Sequence, residues 1–191
     1  MGSFYTNVTL RTSDRQRVSQ ELAASGLSAF ISRPENGALV VFERESDGED
    51  PAVVHEVAAT LSGRLGCPAL ACLNHDDSVL VYTLFANGEL VDEYVSAPDY
   101  FDEELDGGDR GGDAESLAAA FGVPQAVPRL ATILSGDPGE DGLEFETERH
   151  AQIVEALGLP RSAIGTGFNY LEAGEHPDGY AMGDFERVGE P

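Results

Sequence analysis

Two Asn-Gly pairs, Asn36-Gly37 and Asn87-Gly88, constrain this chain more than any other feature. Each lies between two runs rich in Val, Leu, Phe and Tyr. A two-residue Asn-Gly connection is the strongest short-range hairpin signal, because both residues accept the positive φ that the turn requires. The chain is therefore expected to pair 27–32 with 38–44, and 78–85 with 89–95.

The rest of the first hundred residues arranges itself around these hairpins. In FYTNVTLR (4–11), Phe4, Thr6, Val8 and Leu10 fall on one side and Tyr5, Asn7, Thr9 and Arg11 on the other, the period of a strand. Ser13 with Gln16 resembles a capping box, Val18 and Leu22 share a helical face, and Gly26 closes the segment. After the acidic loop SDGED, Pro51 opens a second helix whose Val54, Val57, Leu61 and Leu65 form one buried stripe. ALACL, after Pro68, reads as a central strand.

The order is β-α-β-β-α-β-β-β. Its first six elements follow the pattern of ferredoxin-like sandwiches, and the last two strands add a meander. The fold class is α+β, an antiparallel sheet with both helices on one face.

Beyond residue 101 the pattern changes. DEELDGGDRGGDAE (102–115) reads as an acidic, Gly-rich linker. Asp113 caps a helix in AESLAAAF, which Gly122 ends. A short helix follows in QAVPRLATIL, with Pro128 in its first turn. Thr147 is expected to cap ERHAQIVEAL. RSAIGTGFNYLEAG alternates as a strand would, and the residues from Glu175 read as loose. The apolar content of this half is too thin to stand alone. The expectation is one composite domain over 1–191, with a sheet core (1–101), a linker (102–114) and a mainly helical portion (115–191) packed on the sheet.

Thirty-five Asp and Glu face 11 basic residues, all Arg, for a net charge of −24. Such a field repels phosphate, so neither nucleic acid nor an anionic membrane is an expected partner. It fits a solubilising surface in a salty cytoplasm, a genome that spells its basic residues as Arg, or a surface shaped for a basic protein. No signal peptide or membrane span is visible, which places the chain in the cytoplasm with Cys67 and Cys72 reduced. The start MGSFYT fits a permissive myristoylation pattern, but Phe4 and Tyr5 read as the beginning of a strand.

Several chemistries fail on spacing. A calcium loop starting at Asp102 would place Leu105, Arg110 and Asp113 at its fourth, ninth and twelfth positions, where the ninth should supply an oxygen ligand and the twelfth a Glu. A helix-turn-helix over 153–171 would carry Gly165 and Gly167 in its reading helix, with Arg161 as its one base. No G-x-S-x-G, P-loop or G-x-G-x-x-G is present, and no cofactor is expected.

Two places carry candidate sites. The Asn74–Asp77 turn offers His75, Asp76 and Asp77 as metal ligands or an acid/base group, against the plain reading of a polar hairpin. Tyr94, Tyr100 and Phe101 cluster beside the carboxylates Asp102, Glu103, Glu104 and Asp106, either as partner anchors or as a staple onto the core. The expected function is a non-catalytic interaction protein docking a basic partner surface, of the inhibitor, immunity or regulatory kind. The alternatives are a small metal-assisted hydrolase using the Asn74–Asp77 turn, or a domain adapted to a salty cytoplasm.

Overall fold

The computed structural model describes residues 2–100, 110–136 and 144–189. The first alternating run forms β1 (Tyr5–Leu10), followed by α1 (Arg15–Ala24), β2 (Ala29–Ile31) and β3 (Leu39–Glu43). The N-cap of α1 is Asp14, whose carboxylate accepts the Arg17 N–H at 3.0 Å, one residue later than the expected Ser13. A tight turn over Glu45–Gly48 leads into α2 (Pro51–Leu65), capped by Asp50 and ended by Gly66 at φ 63°. Then come β4 (Ala69–His75), β5 (Val79–Ala86) and β6 (Glu89–Val95). Asn36, Gly37, Asn87 and Gly88 all have positive φ, as their turns demand.

The second half adds α3 (Ala114–Phe121), α4 (Val127–Ser135), α5 (Glu146–Leu157), α6 (Phe168–Glu172) and β7 (Glu186–Val188). Seven strands form one sheet in the order β6-β5-β4-β1-β3-β2-β7, and every neighbouring pair is antiparallel. The chain is thus α+β, with mixed helices and one antiparallel sheet.

Strand alternation sorts the core into two layers. Val8, Leu10, Leu39, Val41 and Ala71 meet Val18, Leu22, Val54 and Leu61 of α1 and α2. On the other face Phe42, Leu70, Cys72, Leu80 and Tyr82 meet the helices of the second half through Leu117, Phe121, Leu130, Ile153 and Phe168. Both sheet faces are covered, which is why β3, β4 and β5 are apolar almost throughout rather than at alternate positions.

Three local expectations are corrected. Residues 161–174 form a 3₁₀ turn and α6, not a strand. Gly165 sits at φ 65°, which interrupts any strand, and Ile164, Phe168 and Leu171 turn inward at helical spacing. Asp47 holds the start of α6 by accepting the Asn169 N–H at 2.8 Å. The residues after Glu175 are not loose throughout: β7 pairs with β2, Phe185 and Val188 are buried, and Arg187 lies over the Phe30 ring at 5.2 Å. Thr147 does not cap α5, which starts at Glu146. Glu148 closes that helix end by accepting the Phe145 N–H, while the Thr147 hydroxyl donates to Asp77.

The linker's C-terminal end is docked. Val95 N–H donates to Arg110 C=O at 2.8 Å and Gly112 N–H to Glu93 C=O at 2.8 Å, so the segment lies along the outer edge of β6. A Cβ on Gly111 would stand 2.3 Å from the Glu93 carbonyl oxygen, so only glycine permits this approach.

Candidate functional site

The β4–β5 hairpin ends in a two-residue turn. Asp76 and Asp77 have φ of 51° and 55°, and Ser78 N–H donates to His75 C=O at 3.0 Å. Asp tolerates this left-handed conformation better than most residues. Asp77 fixes the turn to two other parts of the chain. Its carboxylate accepts the Ser3 N–H at 2.9 Å, the Asn74 side-chain N–H at 3.1 Å and the Thr147 hydroxyl. Its carbonyl accepts the Glu146 N–H at 3.0 Å, which seats α5 against the turn. Burial alone would raise the Asp77 pKa, but these donors outweigh it and hold the carboxyl below its usual range.

His75 pairs with a carboxylate outside the turn. Its Nδ1 lies 2.5 Å from Oε2 of Glu49. Glu49 follows the Glu45–Gly48 turn with φ 60°, a left-handed conformation that is uncommon for a long side chain. The pair borders an open cleft of about 480 Å³ lined by Gly48, Glu49, Pro51, Leu73, His75 and Val81. The Phe4 ring meets the imidazole edge-on at 5.2 Å, and Tyr100 meets it at 5.8 Å.

Three large aromatic side chains are exposed among the described residues: Phe4 (39%), Tyr100 (45%) and Phe145 (53%). All three border this turn, since Phe145 immediately precedes the Glu146 that bonds to Asp77. Asp76 in the turn and Asp50, next in sequence to Glu49, are exposed. Elsewhere the arginines neutralise Glu21, Glu35, Glu146, Glu155, Glu172, Asp184 and Glu186. No arginine salt bridge among the described residues involves Glu49, Asp50, Asp76 or Asp77.

The sequence-derived candidates divide. Tyr100 belongs to this face. Tyr94 is fully buried: it stacks on Tyr82 at 5.3 Å and its hydroxyl donates to Leu134 C=O at 3.2 Å, so it builds core and is out of reach of a partner. Phe101, Asp102, Glu103, Glu104 and Asp106 lie outside the described residues. His75, Asp76 and Asp77 do not assemble as a metal set; among the described residues no group of three His, Cys, Asp or Glu side chains is arranged to hold a metal ion. Glu49, Phe4 and Phe145 were not singled out by the sequence. Glu49 is one of several acids in SDGED, and Phe4 reads as the beginning of a strand.

A second polar cluster lies inside the fold. The Tyr5 hydroxyl and His150 Nδ1 are 2.8 Å apart and both residues are buried. Burial lowers the His150 pKa to about 4 and pushes Tyr5 well above its ordinary value. The imidazole is therefore neutral and shares a hydrogen bond with the tyrosine hydroxyl. This buried pair joins α5 to β1.

No family model matches this chain, and no curated protein or solved structure is significantly similar to it.

Proposed function

We propose that this chain is a non-catalytic interaction protein that docks a basic protein surface through the face around the Asn74–Asp77 turn. The observation that carries the reading is the convergence of Phe4, Tyr100 and Phe145 on one turn whose neighbouring carboxylates have no arginine partner among the described residues. Exposed aromatics contribute the large contact area of binding hot spots. The surrounding carboxylates supply charge complementarity, and a net charge of −24 speeds encounter with a cationic partner while repelling nucleic acid and anionic membrane. An inhibitor, immunity or regulatory protein would use such a face.

The remaining parts of the reading have their own supports. A ferredoxin-like start is favoured by the neighbour order β4-β1-β3-β2, antiparallel throughout. A cytoplasmic place of action fits the two free, buried cysteines. No helix among the described residues is long and apolar enough to cross a membrane.

Nuclear magnetic resonance titration with a short arginine-rich peptide tests the proposal. Shifts are expected to centre on Phe4, His75, Tyr100 and Phe145, and affinity is expected to fall at least about tenfold between 50 and 500 mM salt. Shifts spread evenly over the acidic surface, or an affinity indifferent to salt, would overturn it.

One observation favours a second reading, hydrolysis at the same turn. Glu49 orients the His75 imidazole as a carboxylate orients a general base. That reading predicts turnover of an activated ester, lost in His75→Ala and kept in Phe4→Ser.

A further inference from the structure

Resting on the docking reading, we infer that the cleft between Glu49, His75 and Val81 receives an arginine side chain of the partner, in preference to lysine. The cleft has the parts a guanidinium on an aliphatic stem requires. Pro51, Leu73 and Val81 give an apolar lining for the methylenes. Glu49 spends Oε2 on His75, and its Oε1 accepts no hydrogen bond among the described residues. The His75 imidazole stands in the cleft wall beside the carboxylate, and the Phe4 ring meets it edge-on at the border.

The protein's own arginines show that this combination works here. Arg33 lies 4.8 Å from the centre of the Tyr180 ring while bonding to Glu35 and Asp184. Arg44 and Arg187 lie 5.1 Å and 5.8 Å from the centre of the Phe168 ring while both reach Glu172. In each case a guanidinium takes an aromatic face and a carboxylate together. The Glu49 cleft presents the same pairing of aromatic ring and carboxylate, and no arginine of this chain pairs with Glu49 among the described residues. Arginine is favoured over lysine because its planar, weakly hydrated head can stack and donate from one plane, whereas ammonium is a strongly hydrated point charge.

The strained backbone supports the assignment. Of the five non-glycine residues with positive φ among the described residues, Glu49, Asp76 and Asp77 border this cleft or its turn. Asp76 and Asp77 are explained by the hairpin. Glu49 is the one whose residue type the turn does not explain, because asparagine or glycine would suit its conformation better.

The test is a titration of the full chain with N-acetyl-arginine methylamide and, separately, with its lysine counterpart, followed at the His75 imidazole and Tyr100 ring resonances. The arginine compound is expected to shift both saturably at millimolar concentration, with the lysine compound at least about fivefold weaker. Glu49→Gln is expected to weaken the arginine compound about tenfold, while an unchanged thermal midpoint shows that the variant is folded. Should Glu49→Gln unfold, Val81→Arg is the second variant. It places a competing guanidinium at the cleft wall and is expected to abolish binding of the arginine compound. Equal binding of the two compounds, or an unaltered response in both variants, overturns the inference. If an arginine-rich peptide still binds Glu49→Gln at full strength yet fails with Phe4→Ser, the docking face stands and the arginine cleft falls. If the peptide binds none of these proteins, both fall.

Discussion

Replacing Arg149 with Met is expected to destabilise the protein by about 3–5 kcal/mol, read from the midpoint and slope of urea unfolding. The Arg149 side chain is completely buried, and its Glu146 partner is 3% exposed. The guanidinium donates to both Glu146 oxygens, at 2.8 and 3.3 Å, and to the carbonyls of Ile133 and, at 2.9 Å, Gly136. Those carbonyls belong to the C-terminal turn of α4, where helical partners run out. One side chain therefore closes α4 and fastens it to α5. Methionine would fill the space but leave a buried carboxylate without its counter-charge and take one donor each from the Ile133 and Gly136 carbonyls, the second of which Arg110 still reaches at 3.1 Å. The double variant Glu146→Leu, Arg149→Met removes the stranded charge and is expected to regain most of the loss. A loss below about 1 kcal/mol in the single variant would show that the pair is not buried as described.

The second large effect depends on pH. Burial lowers the His150 pKa to about 4, whereas the unfolded chain titrates near 6.5. Between those values the unfolded state takes up a proton that the folded state refuses. Stability from this residue is therefore fully present above pH 6.5, falls as the pH drops through the window, and levels off below about 4. The total is about 3 kcal/mol at 1.36 kcal/mol per unit. The many carboxylates titrate in the same region, so the measurement is the difference between the wild type and His150→Asn. At pH 7.5 the variant is less stable, because asparagine leaves part of the buried imidazole's volume empty. By pH 4.5 that deficit is expected to shrink by about 2–3 kcal/mol. A constant difference across the range would mean that the imidazole is already accessible to protons.

The elements marked by local chemistry were legible in the sequence. Asn36-Gly37 and Asn87-Gly88 announce their hairpins, and Asp113 and Gly122 cap and end the helix expected of AESLAAAF. The alternation of Tyr5, Asn7 and Thr9 against Thr6, Val8 and Leu10 matches the two faces of β1, although both faces turn out to be buried. What failed depended on distant contacts. The ERV strand has no signature of its own; it forms because β2 offers an edge that Phe185 and Val188 can seal. The apparent alternation around Phe168 was overridden by Gly165 and by Asp47, which arrives from far upstream to hold the start of α6.

The candidate site was legible in the same uneven way. The Asn74–Asp77 turn stood out as a cluster of polar residues, and it is where the exposed aromatics gather. Its working parts did not stand out. Phe4 and Phe145 look like ordinary apolar residues until the fold places them beside Asp77, and Glu49 is one acid among 35 until it meets His75. Tyr94 shows the converse. Its neighbourhood in YVSAPDYF suggests a surface anchor, but strand alternation carries it to the covered face, against Tyr82.

The most direct test of the docking face separates local aromatic contact from general acidity. Phe4→Ser with Tyr100→Ser leaves the net charge at −24. Glu175→Gln with Asp178→Asn removes two exposed acids between α6 and β7. Calorimetric titration of all three proteins with the same arginine-rich peptide at low salt ranks the two effects. The proposal predicts that the aromatic pair weakens binding at least about tenfold and the distant acids less than about twofold. The opposite ranking, with the aromatic variant binding as the wild type does, would contradict it.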